Sequence, residues 1–206
     1  MARVLAHPAA KPLVFMLCLL PAAWFFWAAA SDQLGANPAE ALIRGLGDWT
    51  LRALVLVLAI TPLRVAGGWP QLARFRRMTG LFVFFYASLH WIAYAWFDMG
   101  LVWADIVADV PKRPFILVGT LAWLLLLAMA ATSFNRAIRW LGASRWQRLH
   151  RAVYAVAVLA VLHFFWMRAG KNDFAEVAVY ASVLGALLLW RLWRRRGRTA
   201  AQVSAG

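Results

Sequence analysis

Six apolar segments dominate the chain: Leu13–Ala30, Trp49–Val65, Thr79–Phe97, Phe115–Ala131, His150–Met167 and Phe174–Leu192. A bilayer core takes about 20 apolar residues of helix, within a range of roughly 17–25. Backbone groups in lipid have no water to bond, so segments of this kind must be helical. The expected fold is an all-α membrane protein, a bundle of six transmembrane helices spanning residues 13–192. A cytoplasmic tail is expected at residues 1–12, and a basic, unstructured one at residues 193–206. No internal repeat or low-complexity tract is visible. Pro21 and Pro62 fall inside the first two segments and are expected to bend them, because each removes a backbone donor. The first segment follows Arg3 and Lys11, and "WAAAS" has the look of a signal cleavage site. Its apolar run exceeds the usual core of about 7–15 residues, so it is read as an uncleaved anchor.

The chain is 64% hydrophobic with 13 Trp, whereas soluble domains are about 45–50% apolar. It carries 22 basic and 8 acidic residues, a net charge of +14. In a soluble chain that excess would suggest nucleic acid. Here the basic residues lie between apolar segments, so the charge reads as topology and no nucleic-acid partner is expected. The single cysteine, Cys18, lies inside an apolar run. It permits no intramolecular disulfide and no cysteine-based metal or iron–sulfur motif.

Placing the N-terminus in the cytoplasm puts 16 of the 22 basic residues on that side. They are Arg3 and Lys11; Arg64, Arg74, Arg76 and Arg77; Arg136, Arg139, Arg145, Arg148 and Arg151; and Arg191, Arg194, Arg195, Arg196 and Arg198. The outer side holds Arg44, Arg52, Lys112, Arg113, Arg168 and Lys171 together with all eight acids. The positive-inside rule then predicts both termini in the cytoplasm. The acidic outer face suits either a partner or plain solvation.

Ionisable residues within membrane helices are costly and mark function by default. Of the four histidines, His7 is in the N-terminal tail and is assigned no role; His90, His150 and His163 lie in or at the edge of spans. His90 stands about 17 Å from the start of the outward-running third span, and His163 about 20 Å beyond His150 on the fifth. The two therefore reach similar depths in the outer half. A pair of facing imidazoles can hold one planar haem by its two axial positions. A bare zinc site would want four ligands. His150 falls near the cytoplasmic surface, thirteen residues before His163. On an ideal helix the two side chains differ by roughly 140° in direction, so a shared haem-facing side needs a bend or tilt. A second haem ligand and an ordinary headgroup-zone histidine both fit His150.

Four stretches carry a resemblance to a known family: "ITPLR" (Ile60–Arg64), "RRMTGLFVFFYASLHWIAY" (Arg76–Tyr94), "RPFILVGTLAWLLLLAMAATS" (Arg113–Ser133) and "SRWQRLHRAVYAVAVLAVLHFFW" (Ser144–Trp166). Together they resemble the MsrQ/YedZ family of ferric reductase-like membrane subunits, over about residues 10–195. The resemblance implies a multi-pass bacterial inner-membrane protein binding b-type haem, one or two copies, and associated with FMN. It implies electrons taken from the quinone pool or a flavin reductase. It also implies their delivery to a periplasmic molybdopterin enzyme, MsrP, that reduces methionine sulfoxide in oxidised proteins. The haem positions carry over onto His90, His163 and His150; no residue is assigned to FMN. The wider group pairs two histidines on the third span with two on the fifth, but here the third span holds only His90. Thirteen positions earlier stand Arg77 and its neighbour Met78. Met78 is a candidate second-haem ligand, and Arg77 a candidate partner for a haem propionate. The chain has no Gly-rich dinucleotide fingerprint. The alternatives are a self-contained ferric or quinone reductase, or a transporter or structural membrane protein whose histidines relay protons or pack.

Overall fold

The computed structural model describes residues 2–170 and 172–203, with side chains through Gly197. Two basic residues of the charge pattern, Lys171 and the side chain of Arg198, lie outside the described part, as do residues 204–206 of the basic tail. The described residues are helical almost throughout. A short α1 (Ala2–Ala6) precedes α2 (Ala10–Ala30) and α3 (Pro38–Ala66). A 3₁₀ turn (Pro70–Phe75) leads into α4 (Arg76–Ala93), which a π-helical turn (Tyr94–Asp98) continues. Then come α5 (Trp103–Asp109), α6 (Pro114–Ala131), α7 (Asn135–His150), α8 (Val153–Ala169) and α9 (Ala175–Val203).

Six of these stretches are long and apolar enough to cross a membrane: Ala10–Ala30, Pro38–Ala66, Pro70–Asp98, Pro114–Ala131, Asn135–Ala169 and Ala175–Gly197. They contain the first five expected segments and all of the sixth but Phe174. An even number of crossings leaves both termini at one end of the bundle, the terminal end. Arg74 marks it, donating from Nη1 to the carbonyls of Leu5 (3.2 Å) and Ala6 (2.9 Å).

Several boundaries extend beyond the sequence reading, and two of them have a clear local cause. The second span begins at Pro38, eleven residues before Trp49. Asn37 caps it: its Oδ1 accepts from the Glu40 backbone N–H (3.1 Å) and its Nδ2 donates to Glu40 (3.0 Å). Pro38 follows at the first helical position, where its missing N–H costs nothing. This capping chemistry extends the helix through residues too polar to register as membrane span. At the other end, α9 continues to Val203 rather than stopping near Arg191. Arg, Ala and Gln are good helix formers, so a basic run can prolong a helix already nucleated in the bundle.

α3 packs along α4, and α6 along α8; α4 and α6 join the two pairs. α9 closes the bundle against α3 and α8, and α2 lies on α3 and α4. Leu54, Val83, Tyr86, Val156 and Leu184 are buried at the centre, whereas Trp24, Phe26, Trp27 and Leu189 face outward. Outward apolar residues are ordinary here, since lipid replaces water as their solvent.

At each internal proline a side chain from another helix bonds to the backbone ladder. One residue past Pro21, the Tyr86 hydroxyl enters the α2 ladder. It accepts from the Ala22 N–H (3.3 Å) and donates to the Cys18 carbonyl (2.6 Å). In α3, Pro62 cannot donate to the carbonyl of Leu58. Arg191 of α9 donates to that oxygen instead (2.5 Å) and also to Leu187 (3.1 Å), with its guanidinium over the Tyr154 ring.

Candidate functional site

Between the two helix pairs lies a cavity of about 490 Å³, walled by α3, α4, α6 and α8. Its size falls within the range of roughly 300–1,000 Å³ usual for cofactor and ligand sites. His90 of α4 and His163 of α8 both line it. Their ring centroids are 6.0 Å apart and their planes lie at 82°. The depth argument thus brings together the two histidines that it paired.

Each imidazole is held by the helix alongside its own. His90 Nδ1 lies 2.8 Å from the carbonyl oxygen of Ile43 on α3. His163 Nδ1 lies 2.6 Å from the carbonyl oxygen of Phe115 on α6. A carbonyl can only accept, so each Nδ1 carries the proton and each Nε2 keeps its lone pair. One turn beyond each carbonyl stands a glycine that the ring closely approaches. A Cβ at Gly47 would sit 3.2 Å from His90 Cε1, and one at Gly119 would sit 2.8 Å from His163 Nδ1. Ile43–Gly47 and Phe115–Gly119 therefore form matching cradles, each with the carbonyl four residues before the glycine. The duplication is invisible as a sequence repeat because only one glycine and one backbone oxygen recur.

Two outward-turned lone pairs at this spacing suit one metal ion between the rings. Two metal–nitrogen bonds of about 2 Å each, plus the ring radii, nearly account for the separation. Among the described residues no group of three or more His, Cys, Asp or Glu stands ready to hold a bare metal ion. A donor set of two imidazoles fits an ion whose remaining positions are filled by a porphyrin. Apolar and small residues wall the slot, including Leu54, Ala87, Ala122, Val156 and Ala160.

The cavity turns polar towards the end away from the termini. Arg44, Arg113 and Arg168 line it there. Arg44 pairs with Glu40. Arg113 donates to Asp109 from Nε at 2.9 Å, and Tyr94 donates to the same carboxylate at 2.7 Å. The hydrogen bonds from Arg113, followed by that from Tyr94, hold the Asp109 carboxyl below its usual range. Arg168 bridges to Asp173 (3.1 Å) and to Glu176. Two buried donors on the cavity wall have no partner among the described residues: Trp91 Nε1 and Arg168 Nε.

The other sequence candidates lie elsewhere. None of His150, Arg77 and Met78 lines the cavity. His150 ends α7, with its ring stacked on Trp146 at 3.9 Å. Its Nδ1 faces the Trp146 carbonyl (3.1 Å) and its Nε2 faces the Ser133 hydroxyl (3.3 Å). Arg77 donates to Asn135 Oδ1 (2.7 Å), and Met78 packs against the main apolar core. Among the described residues no hydrogen bond or ring contact joins His150 to either. The stretch from Arg145 to Gly170 is also not one straight helix. Ala152 N–H bonds to Leu149 and Tyr154 N–H to Arg151, a three-residue spacing that tightens the turn between α7 and α8. The ideal-helix angle between His150 and His163 therefore does not apply.

Residues 45–161 match the family described as ferric reductase like transmembrane component. The chain is 62% identical to the protein-methionine-sulfoxide reductase heme-binding subunit MsrQ of Polaromonas naphthalenivorans, over 97% of this chain and 91% of that one. The chain belongs to the MsrQ family. The Bordetella pertussis MsrQ is 55% identical over 91% of this chain and 92% of its own length. The Herminiimonas arsenicoxydans MsrQ is 46% identical over 93% and 89%. No solved structure matches the chain. The matched segment of this MsrQ-family chain begins two residues before Gly47 and ends two before His163. It thus takes in both cradle glycines, His90 and His150.

Proposed function

We propose that this chain is a transmembrane electron-transfer subunit that carries b-type haem between His90 and His163. The observation that carries the reading is the facing imidazole pair in an apolar slot, each ring with a fixed tautomer. The relatives' printed name, a heme-binding subunit of a methionine sulfoxide reductase, supports the same reading. When bound, haem supplies one-electron chemistry through its iron. The residues of the chain do the rest. His90 and His163 would hold the haem through Nε2, the ring nitrogen that each leaves free of its backbone partner. Ile43 and Phe115 hold the rings and strengthen them as ligands. The apolar walls exclude water.

The charge asymmetry supports both termini in the cytoplasm of a bacterial inner membrane, which puts the His90–His163 site nearer the periplasm. Electrons then enter from the quinone pool or a flavin reductase. They leave to a periplasmic molybdopterin methionine sulfoxide reductase, MsrP. FMN belongs to the proposal only as a donor-side group without an assigned residue. A second haem near the terminal end, with His150 as ligand, Met78 as the candidate ligand opposite and Arg77 as a candidate propionate partner, is a separate part of the proposal.

The test is pyridine haemochrome quantification and reduced-minus-oxidised spectroscopy on purified variants. His90→Ala and His163→Ala should each remove the same haem. Full haem content in either variant excludes that residue as a ligand. His150→Ala should remove a second signal and spare the first; an unchanged spectrum makes it an interfacial histidine only.

A further inference from the structure

Arg168 follows His163 by five residues, about 7.5 Å further along α8. Its side chain is only 15% exposed. Its guanidinium lies over the buried ring of Phe164, which itself lines the cavity. The two terminal nitrogens are committed to Asp173 and Glu176. That leaves Nε–H, which is buried and has no partner among the described residues, on a residue of the cavity wall. A buried donor without an acceptor is costly, and more so when charged, so such groups in folded proteins generally meet an acceptor. A cationic donor asks for an anionic acceptor.

We infer that Arg168 is a carboxylate-binding residue at the far end of this cavity, receiving a propionate of the haem through its Nε–H. The inference rests on the haem reading above. A porphyrin held at its centre between His90 and His163 carries its carboxylates a few ångströms beyond the iron-bound ring. Arg168 stands at that remove from His163, on the same wall. The opposite stretch of wall, towards Leu54, Leu126 and Val156, offers no charged side chain, only apolar ones and the hydroxyls of Thr50 and Thr120. The ring is therefore seated with its acidic edge away from the chain termini. The Asp173 and Glu176 pairs hold the guanidinium so that Nε, and not an end nitrogen, meets the ligand. The arrangement also explains why an arginine with two carboxylate partners still carries an unmet donor.

The experiment compares haem loss from the detergent-purified, reconstituted full chain to excess apomyoglobin, using native haem and its dimethyl ester. Wild type should release the ester roughly 10-fold or more faster than native haem, the worth of a charged hydrogen bond. Arg168→Gln should release native haem at about the rate at which wild type releases the ester, and should not distinguish the two. A paired Asp173→Asn, Glu176→Gln variant, which keeps the arginine, should still distinguish them. Equal release of haem and ester by wild type overturns the inference and leaves the haem reading standing. An ester effect that persists in Arg168→Gln also overturns it. Failure of wild type to bind either form overturns the haem reading and this inference with it.

Discussion

Gly119 and Gly47 set how His163 and His90 stand, although neither has a side chain to contribute. A Cβ at Gly119 would fall 2.8 Å from His163 Nδ1, inside contact distance, whereas one at Gly47 would fall 3.2 Å from the nearest His90 atom. The first substitution must displace the ring and stretch the 2.6 Å bond to Phe115. The second needs only a small adjustment. A weaker Nδ1–H bond makes the imidazole a poorer donor to iron, and a poorer donor favours the ferrous state. Gly119→Ala should therefore raise the haem midpoint potential by on the order of tens of millivolts, and Gly47→Ala by less. Spectroelectrochemical titration measures both. Gly185→Ala, with no neighbour within 4 Å, serves as the control for an added methyl on a membrane helix. Equal potentials in Gly119→Ala and the control would remove the cradle from the account. These glycines were not singled out in the sequence, because a small residue in an apolar helix is common. The usable signal was its place one turn after the partner carbonyl, which only the packed helices reveal.

At the level of elements, the bent helices depend on their neighbours. Pro62 leaves the Leu58 carbonyl without its helical N–H, and Arg191 replaces that donor from α9. Arg191→Ala should then destabilise the bundle by about 1–3 kcal/mol, the cost of an unmet buried acceptor. The same substitution in a Pro62→Ala background should cost less, because the restored backbone N–H can satisfy Leu58. Thermal or denaturant unfolding in detergent, run as a double-mutant cycle, gives the coupling. Additive losses would mean that Arg191 stabilises through its contact with Tyr154 instead. The proline bends themselves were readable from sequence; the side chains that complete them were not. Tyr86 is 64 residues from Ala22, and Arg191 is 133 from Leu58. No local pattern reports a pairing over that distance.

For the whole molecule, topology decides what the haem proposal means. The six-to-sixteen division of basic residues predicts that reporter fusions after Ala36 and Asp105 read as periplasmic. Fusions after Arg76 and Arg145 should read as cytoplasmic. The inverted pattern would move the His90–His163 site to the cytoplasmic half and reverse the proposed direction of electron flow. The packing is consistent with one unit crossing the membrane six times. The α3–α4 and α6–α8 pairs each supply one histidine, one carbonyl and one glycine to a shared cavity. Loss of either pair's contact would leave half a site.

The number of spans, their apolar character and the matching depths of His90 and His163 followed from the sequence alone. Span length, the cost of exposed backbone in lipid and a fixed rise per residue are local or additive quantities. The start of α3 at Pro38 was missed because capping by Asn37 acts on residues that hydropathy scores as loop. The tightened turn at Arg151 was not placed by the sequence, because a switch in hydrogen-bond spacing leaves no mark on composition. Which carbonyl fixes each imidazole, which glycine admits it and which arginine keeps a donor unmet were decided by helix against helix. Those contacts depend on the rotation and closeness of helices far apart in the chain, and hydropathy, which constrains burial, says nothing of either.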